Sequence, residues 1–264
     1  MAIVLALPAM CLTLSATQPN LRVAPARQAG LRVAPAQQAG VRVALALKAA
    51  PPRSSAPQAS LASAAAFWCP MAGLVTSNAL YFSPLSAVLE RLKVGTLGEL
   101  NPLPAAVTVL STLAWLQYGL AIADPFVVAS NIPGLTAAIA GFVLLLPLMK
   151  GTSSLKLVQT SFVTGCAATL ALWTWLVFSG MTAAARASAL GLWASAFFIV
   201  LCSSPLTSMR KVIQTKDASS IYAPMTAAQC ANCLLWTVYG YFGVGNIFVW
   251  GPNFTGLLLS FAQL

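Results

Sequence analysis

The sequence predicts an all-α integral membrane protein with seven transmembrane helices, arranged as two parallel three-helix bundles joined by a linker helix. Three observations support this fold class. The chain of 264 residues is 59% hydrophobic and only 7% charged, whereas soluble domains carry roughly 25% charged residues. Long segments without any charge follow one another along the chain, and the last of these segments repeat the pattern of the first.

The charge-free segments match the length that a membrane requires. The hydrocarbon core of a bilayer takes about 20 largely apolar residues per helix. The final segment is long enough for two helices and has a natural break at Gly243, Gly245 and Asn246. Strands are not expected, because barrel strands alternate apolar and polar residues. Seven spans therefore follow from the segments 54–89, 100–123, 125–149, 157–185, 187–209 and 218–264.

An internal repeat relates the first spans to the last. The stretch "WLQYG" at 115–119 is followed by Asn131, and "WTVYG" at 236–240 is followed by Asn253. The Trp-to-Asn spacing is 16 residues in the first copy and 17 in the second. A doubled motif of this kind is typical of repeat architectures.

The repeat extends over three spans in each copy, which gives one unit over 61–150 and another over 183–264. "FSPLSAVLERLKVGT" at 82–96 matches "SSPLTSMRKVIQTKD" at 203–217. Two units of three spans joined directly would point in opposite directions. The extra span within the linker 151–182 restores the direction, so both units run parallel.

Residues 1–60 differ in kind from the rest. They contain six basic residues, no acid and three near-copies of one decapeptide, "LRVAPARQAG", "LRVAPAQQAG" and "VRVALALKAA". An acid-free leader rich in Arg and Ala is typical of a targeting or transit segment. The alternative is a disordered low-complexity tail. Either interpretation excludes this segment from the fold.

The basic residues in the loops between the spans predict an orientation. Seven lie after the first, third and fifth spans, while the opposite loops hold only Arg186. The positive-inside rule then places the N-terminus outside and the C-terminus in the cytoplasm. The plasma membrane is the expected location, with the plastid envelope or another endomembrane as the alternative because of the basic leader. The seven residues are Arg91, Lys93, Lys150, Lys156, Arg210, Lys211 and Lys216.

The titratable residues are too few for most chemistry. The chain has no histidine and four acidic residues, none of them deep in a span, which argues against a proton-coupled pump. Cys230 and Cys233 form a C-x-x-C pair, but they lie in an apolar helix without a second ligand pair. We expect no enzyme activity, no metal, no cofactor and no nucleic-acid partner.

The repeated aromatic and amide residues are the best candidates for a site. Trp115, Asn131, Trp236 and Asn253 lie seven to nine residues from the outer turns. At about 1.5 Å per residue all four fall in one layer near the centre of the bilayer. Indole rings offer flat apolar area, and amides both donate and accept hydrogen bonds. This set suits a small neutral sugar, because no buried charge needs a counter-ion.

At these residues the chain resembles the SWEET family of sugar transporters, whose fold is built from two parallel repeats. The resemblance is strongest in "SPLTSMRKVIQTK", "WTVYGYFG" and "GPNFTGLLLS". It implies bidirectional, energy-independent sugar passage, with Asn131, Asn253 and Trp236 in the substrate pocket. Trp115 stands where plant members usually carry a small residue, as in bacterial half-size relatives. A Trp on both sides narrows the pocket and favours a monosaccharide over a disaccharide.

The resemblance also implies hinges. The hinge prolines fall on Pro84, Pro205, Pro224 and one of Pro102 or Pro104. Proline inside a helix removes a backbone hydrogen bond and permits a bend. For Pro102 and Pro104 the alternative is that they start a helix, where proline is favoured.

A gate is expected at the outer mouth. Tyr118, Tyr239 and Asp124 lie there and are expected to close it by hydrogen bonding. In plant members the acid lies in the second repeat, where this chain has Asn246, so the gate is expected to be mirrored between the repeats.

The expected function is a sugar uniporter that works by alternating access, with a glucose-like sugar and the lipid bilayer as partners. Whether it forms a homo-oligomer stays open. One alternative is a PQ-loop transporter of an amino acid or another neutral metabolite, although Pro84 and Pro205 are followed by leucine rather than glutamine. A pyruvate carrier would need a cation in the cavity, which the spans lack. A non-transporting membrane scaffold also stays open.

Overall fold

The computed structural model describes residues 56–215 and 223–264, with side chains over 62–202 and 223–264. These residues form helices joined by short turns, without a strand among them, as the sequence predicts. Most of the leader 1–60 and the side chain of Pro205 lie outside this description. Ala64–Leu264 forms one compact region. The helices of the described ranges are α1 (Ala56–Val94), α2 (Leu103–Ala121), α3 (Pro125–Leu145), α4 (Ser153–Phe178), α5 (Ala183–Thr215), α6 (Ala223–Val238) and α7 (Ile247–Gln263).

Five helices, α1 to α5, are long and apolar enough to cross a membrane. The last two are shorter, with 16 and 17 residues. However, α6 continues directly into a wide π-type turn over Tyr239–Gly243, so the sixth span covers 223–243. The predicted break at Gly243, Gly245 and Asn246 begins at the last residue of this turn. We refer to α1–α3 as the first unit and α5–α7 as the second unit, with α4 as the linker.

The third helix of each unit begins with a side-chain cap. Asp124 accepts hydrogen bonds from the backbone N–H groups of Phe126 and Val127 at 2.9 and 3.1 Å. Asn246 accepts one from Phe248 at 3.0 Å. Such caps satisfy donors that have no partner inside the helix. We call the end of the bundle that carries these two caps the cap end.

The residue before each cap has the same unusual backbone. Ala123 has a φ of 54° and Gly245 a φ of 62°. This left-handed conformation is easy for glycine and strained for alanine. The two units therefore turn in the same way at the cap end, although only one of them uses glycine there.

The glycine that ends each Trp-x-x-Tyr-Gly motif lets two helices approach. A Cβ on Gly119 would lie 2.9 Å from Val127 Cγ1, and one on Gly240 would lie 2.6 Å from the backbone N of Trp250. A side chain does not fit at either place. The motif thus fixes how closely the second and third helices of each unit cross.

Packing between helices places the two units face to face. Helix α2 of the first unit packs against α3, the linker α4 and α5 of the second unit, while α7 packs against α5 and α6. Apolar side chains at the end opposite the caps form a core between α1, α2, α3 and α4. Its buried members are Val88, Leu97, Ala106, Val109, Ala138, Phe142, Leu145, Met149 and Val158.

Candidate functional site

The four residues singled out by the repeat line one cavity between the two units. Trp115, Asn131, Trp236 and Asn253 are each at most 7% exposed. The space between the lining side chains is about 380 Å³, part of it the open mouth. The remaining lining residues are Ser77, Tyr81, Val127, Ser130, Phe198, Asn232 and Val249.

At the Trp236 side of the cavity, polar groups from the two units meet. Trp236 Nε1 donates to Ser77 Oγ at 2.9 Å, and Ser77 Oγ donates to Asn232 Oδ1 at 2.8 Å. Thr76 Oγ1 donates to the same Asn232 oxygen at 2.8 Å. Among the described residues, Asn232 Nδ2 has no hydrogen-bond partner. Its N–H groups are therefore available to a ligand.

The indole of Trp236 packs against the first unit. A Cβ on Gly73 would lie 3.0 Å from Trp236 Cε2, so the small residue on α1 leaves room for the ring. With its N–H bound to Ser77 and its ring against Gly73, Trp236 is held in one orientation. A fixed ring lines the cavity and can bind a ligand with little further loss of side-chain entropy.

At the Trp115 side, the contacts are aromatic. The ring of Trp115 meets Phe198 of the second unit edge-on, with 6.2 Å between centroids, and Tyr118 of its own helix at 6.0 Å. Trp236 makes the matching contact with Tyr239 at 5.8 Å. The sequence offset of the repeat pairs Phe198 with Ser77. The two tryptophans thus occupy equivalent positions in the repeat but make different contacts: Trp115 packs on aromatic rings, while Trp236 also donates a hydrogen bond to Ser77.

The two asparagines use the same helical hydrogen bond. Asn131 Nδ2 donates to the carbonyl of Val127 at 2.8 Å, and Asn253 Nδ2 donates to that of Val249 at 2.7 Å. In both helices the acceptor lies four residues earlier. This bond turns each amide along its helix and towards the cavity, which explains why the two side chains take equivalent orientations.

At the cap end, two hydrogen bonds cross between the units. Tyr118 Oη donates to Asn246 Oδ1 at 2.8 Å, and Tyr239 Oη donates to Asp124 Oδ2 at 2.7 Å. Each tyrosine comes from the second helix of one unit, and each acceptor caps the third helix of the other. The three residues expected at a gate are therefore brought together, with Asn246 as the fourth.

The extra residue of the second repeat lies in the wide turn. In the first unit, the N–H of Ile122 donates to Tyr118 O, four residues earlier; in the second, the N–H of Val244 donates to Tyr239 O, five residues earlier. The turn that follows also gains one residue, from Gly119–Asp124 to Gly240–Asn246. The π-type turn absorbs the insertion, and Tyr239 and Asn246 keep their positions.

The prolines fall in different places. Pro84 lies inside α1, ten residues before its end, whereas Pro102 is the N-cap of α2 and Pro104 lies in its first turn. Pro224 is in the first turn of α6. Helix starts favour proline, so Pro84 is the one of these four prolines that lies well inside its helix rather than at the start. Pro133 and Pro252, beside the cavity asparagines, are further interior prolines.

Sequence reasoning missed four polar residues of the cavity, Ser77, Tyr81, Ser130 and Asn232. Asn232 lies one helical turn before Trp236, and its amide in an otherwise apolar span was an available signal. Ser77 and Tyr81 could not be assigned from spacing, because their role depends on which face of α1 meets α6 and α3. No group of three potential metal ligands occurs among the described residues.

Comparisons with known proteins agree with this fold. A family described as "Sugar efflux transporter for intercellular exchange" matches residues 67–151 and 188–264. The bidirectional sugar transporter SWEET7 of Arabidopsis thaliana is 26% identical over 70% of this chain and 72% of its own length. The human sugar transporter SWEET1 is 30% identical over 61% of this chain and 71% of its own length.

A solved structure shows the same fold. The chain resembles the structure of a eukaryotic SWEET transporter with a TM-score of 0.68 and 23% sequence identity, over 77% of this chain and 95% of that one. The prediction of seven membrane helices in a three-one-three arrangement is confirmed at the level of the fold.

Proposed function

This chain belongs to the SWEET family of sugar transporters, and we propose that it carries a neutral monosaccharide across a membrane in both directions. It is a multi-pass membrane protein. The observation that carries the proposal is the cavity between the units, lined by a Trp and an Asn from each. A transporter of this kind has no catalytic step and draws its driving force from the sugar gradient alone.

The unpaired polar atoms of the cavity favour a ligand rich in hydroxyl groups. Asn232 Nδ2 offers donors, while Asn253 Oδ1 has no partner among the described residues and offers an acceptor. A sugar hydroxyl can satisfy either, since it both donates and accepts. The two indole rings favour the apolar faces of a single pyranose, and Trp115 takes the volume that a second ring would need.

We expect alternating access to depend on the two crossed bonds at the cap end. With Tyr118 and Tyr239 bound to caps of the opposite unit, the units are joined at this end. Breaking both bonds would let the units separate there and admit substrate. The hinge role of Pro84, Pro205, Pro224 and Pro102 or Pro104 at the other end is part of this proposal, with Pro84 and Pro205 as its main candidates.

The proposed orientation follows the basic loops, with the cap end outside and the C-terminus cytoplasmic. The proposed location is the plasma membrane, with the plastid envelope or another endomembrane as the alternative set by the leader.

The proposal is tested with the purified full chain in liposomes, by uptake of radiolabelled glucose down its concentration gradient with an inward proton gradient imposed. Asn131→Ala and Asn253→Ala are compared with Asn101→Ala, which makes the same truncation in an exposed turn. We expect uptake by the wild type and the Asn101 variant, unchanged by a protonophore, and none by the two cavity variants.

Two results would contradict this function. Uptake that collapses with the protonophore would indicate proton coupling. Absence of uptake of glucose, fructose and sucrose by well-folded wild type would instead favour another small neutral metabolite or a scaffold role.

A further inference from the structure

Tyr81 is a cavity residue without a chemical equivalent in the second unit. Its ring packs on Gly134 so closely that a Cβ there would clash with Tyr81 Cδ2. The repeat pairs Gly134 with Gly256 and Tyr81 with Cys202, and a Cβ on Gly256 would lie 3.3 Å from Cys202 Sγ. The close contact at this glycine is therefore made by a phenol in the first unit, whereas in the second unit it is shared by Cys233 Sγ at 2.9 Å, Phe198 Cε1 at 3.0 Å and the short thiol of Cys202.

This difference reaches the cavity through Asn131. Tyr81 Oη donates to Asn131 Oδ1 at 3.3 Å. The amide nitrogen of Asn131 donates to the carbonyl of Val127 and, at 3.2 Å, to Ser130 Oγ. Both ends of this amide are thus engaged, whereas Asn253 forms one hydrogen bond among the described residues, to Val249.

We propose that Tyr81 is a positioning and specificity-determining residue, which fixes the Asn131 amide and presents its own hydroxyl oxygen as the acceptor that the first unit offers to the substrate. The inference rests on the proposed sugar transport. Because the phenol hydrogen is directed to Asn131, the Tyr81 oxygen can accept a hydrogen bond but has no hydrogen left to donate.

A chemical selectivity follows. A substrate hydroxyl group next to Tyr81 is bound because it donates a hydrogen bond to the Tyr81 oxygen. A fluorine or a methoxy group at the same carbon has no hydrogen to donate and is not bound there. The second unit has no counterpart of this acceptor, since a cysteine stands in its place, so the selectivity concerns one edge of the sugar.

The test measures counterflow by the full chain in liposomes with glucose and its monodeoxy and monofluoro analogues. Tyr81→Phe removes the hydroxyl and keeps the ring on Gly134. Tyr241→Phe is the matched control, because Tyr241 is 57% exposed and does not line the cavity.

In the wild type, we expect the deoxy and fluoro analogues modified at one carbon to have a KM about fivefold higher than that of glucose, because each loses one hydrogen bond. Tyr81→Phe should raise the KM for glucose by a similar factor. In this variant, the deoxy and fluoro analogues at that carbon should have the same KM as glucose. Tyr241→Phe should keep the wild-type pattern. This loss of discrimination at a single carbon would not arise from a purely structural role.

Three results would overturn the inference. If Tyr81→Phe transports glucose and keeps the wild-type discrimination at every carbon, Tyr81 has no part in selectivity while the proposed function stands. If Tyr81→Phe fails to fold, the hydroxyl serves the fold. If the wild type transports none of the sugars, the proposed function fails and this inference fails with it.

Discussion

At the cap end, the two units make the same hydrogen bond with different acceptors. Tyr118 donates to the neutral amide of Asn246, and Tyr239 donates to the carboxylate of Asp124. Hydrogen bonds to ionised groups contribute roughly 1.5–3 kcal/mol, against about 1 kcal/mol for neutral pairs. Two bonds that look equivalent in geometry therefore differ in strength, and opening should be limited mainly by the one at Asp124.

The cavity shows the same division between shape and chemistry. The repeated residues, Trp, Tyr, Gly and Asn, set backbone crossings and side-chain positions in both units. The residues that differ, Ser77 against Phe198 and Tyr81 against Cys202, decide which of those side chains form hydrogen bonds. A symmetric frame thus holds an asymmetric site, which suits a substrate that has no symmetry of its own.

The largest expected effect comes from removing each cap together with its bond. Asp124→Ala loses two cap hydrogen bonds and the bond from Tyr239, and should lower the free energy of unfolding by about 2–4 kcal/mol. Asn246→Ala should lower it by about 1–2 kcal/mol, for the same reasons without the charge. Thermal unfolding of the two purified variants measures the difference, and equal losses would contradict the proposed inequality.

Replacing each tyrosine with phenylalanine removes the bond between the units and leaves both helix caps in place. Tyr239→Phe leaves the Asp124 carboxylate without its strongest partner from the other unit, and should favour opening of the cap end about tenfold or more. Tyr118→Phe should do so only about fivefold. The readout is the labelling rate of a cysteine introduced in the cavity, with Tyr241→Phe as control. A larger effect at Tyr118 would reverse the comparison.

The two tryptophans can be compared by size. Trp115→Ser should open the first side of the cavity and allow sucrose to pass, while the KM for glucose rises several-fold because one stacking surface of about 1 kcal/mol is lost. Trp236→Ser should lose glucose transport without gaining sucrose, because its N–H anchors the polar chain through Ser77. Counterflow with both labelled sugars distinguishes these outcomes.

Failure of Trp115→Ser to pass sucrose, in a variant that still carries glucose, would show that another part of the route sets the size limit. The narrowing role of Trp115 would then be wrong.

The smallest expected effect is that of Ala123→Gly, in the turn before the first cap. Ala123→Gly should stabilise the protein by about 0.5–1 kcal/mol, because glycine adopts the positive φ without strain. Gly245→Ala should destabilise it by about 1–2 kcal/mol at the equivalent position. Melting temperatures of the two variants should therefore move in opposite directions. Shifts of the same sign would mean that the two turns do not share their backbone strain.

Much of the fold was predictable because it depends on local pattern. Charge-free length indicated the helices, and the odd count of spans per unit required the linker α4. The layer of Trp115, Asn131, Trp236 and Asn253 followed from the rise of a helix. All of these need only the position of a residue along one helix.

What could not be predicted depends on contacts between helices. To predict the bond from Trp236 to Ser77, one must know which faces of α6 and α1 meet. To predict the bond from Tyr81 to Asn131, one must know how α1 is rotated relative to α3. The first-turn position of Pro104 was available as an alternative, since proline favours both hinges and helix starts. The repeat indicated the partners at the cap end but not the strength of each bond.

The wide turn at Tyr239–Gly243 has a consequence for how the two copies diverged. An added residue in a membrane helix would normally rotate everything beyond it by about 100° and turn cavity residues towards lipid. Here the insertion is confined to one loop of backbone between the tyrosine and the cap. Descendants of a duplicated ancestor could therefore acquire different lengths without losing their shared frame, and deletion of one residue within this turn is the mutation that such a lineage would tolerate best.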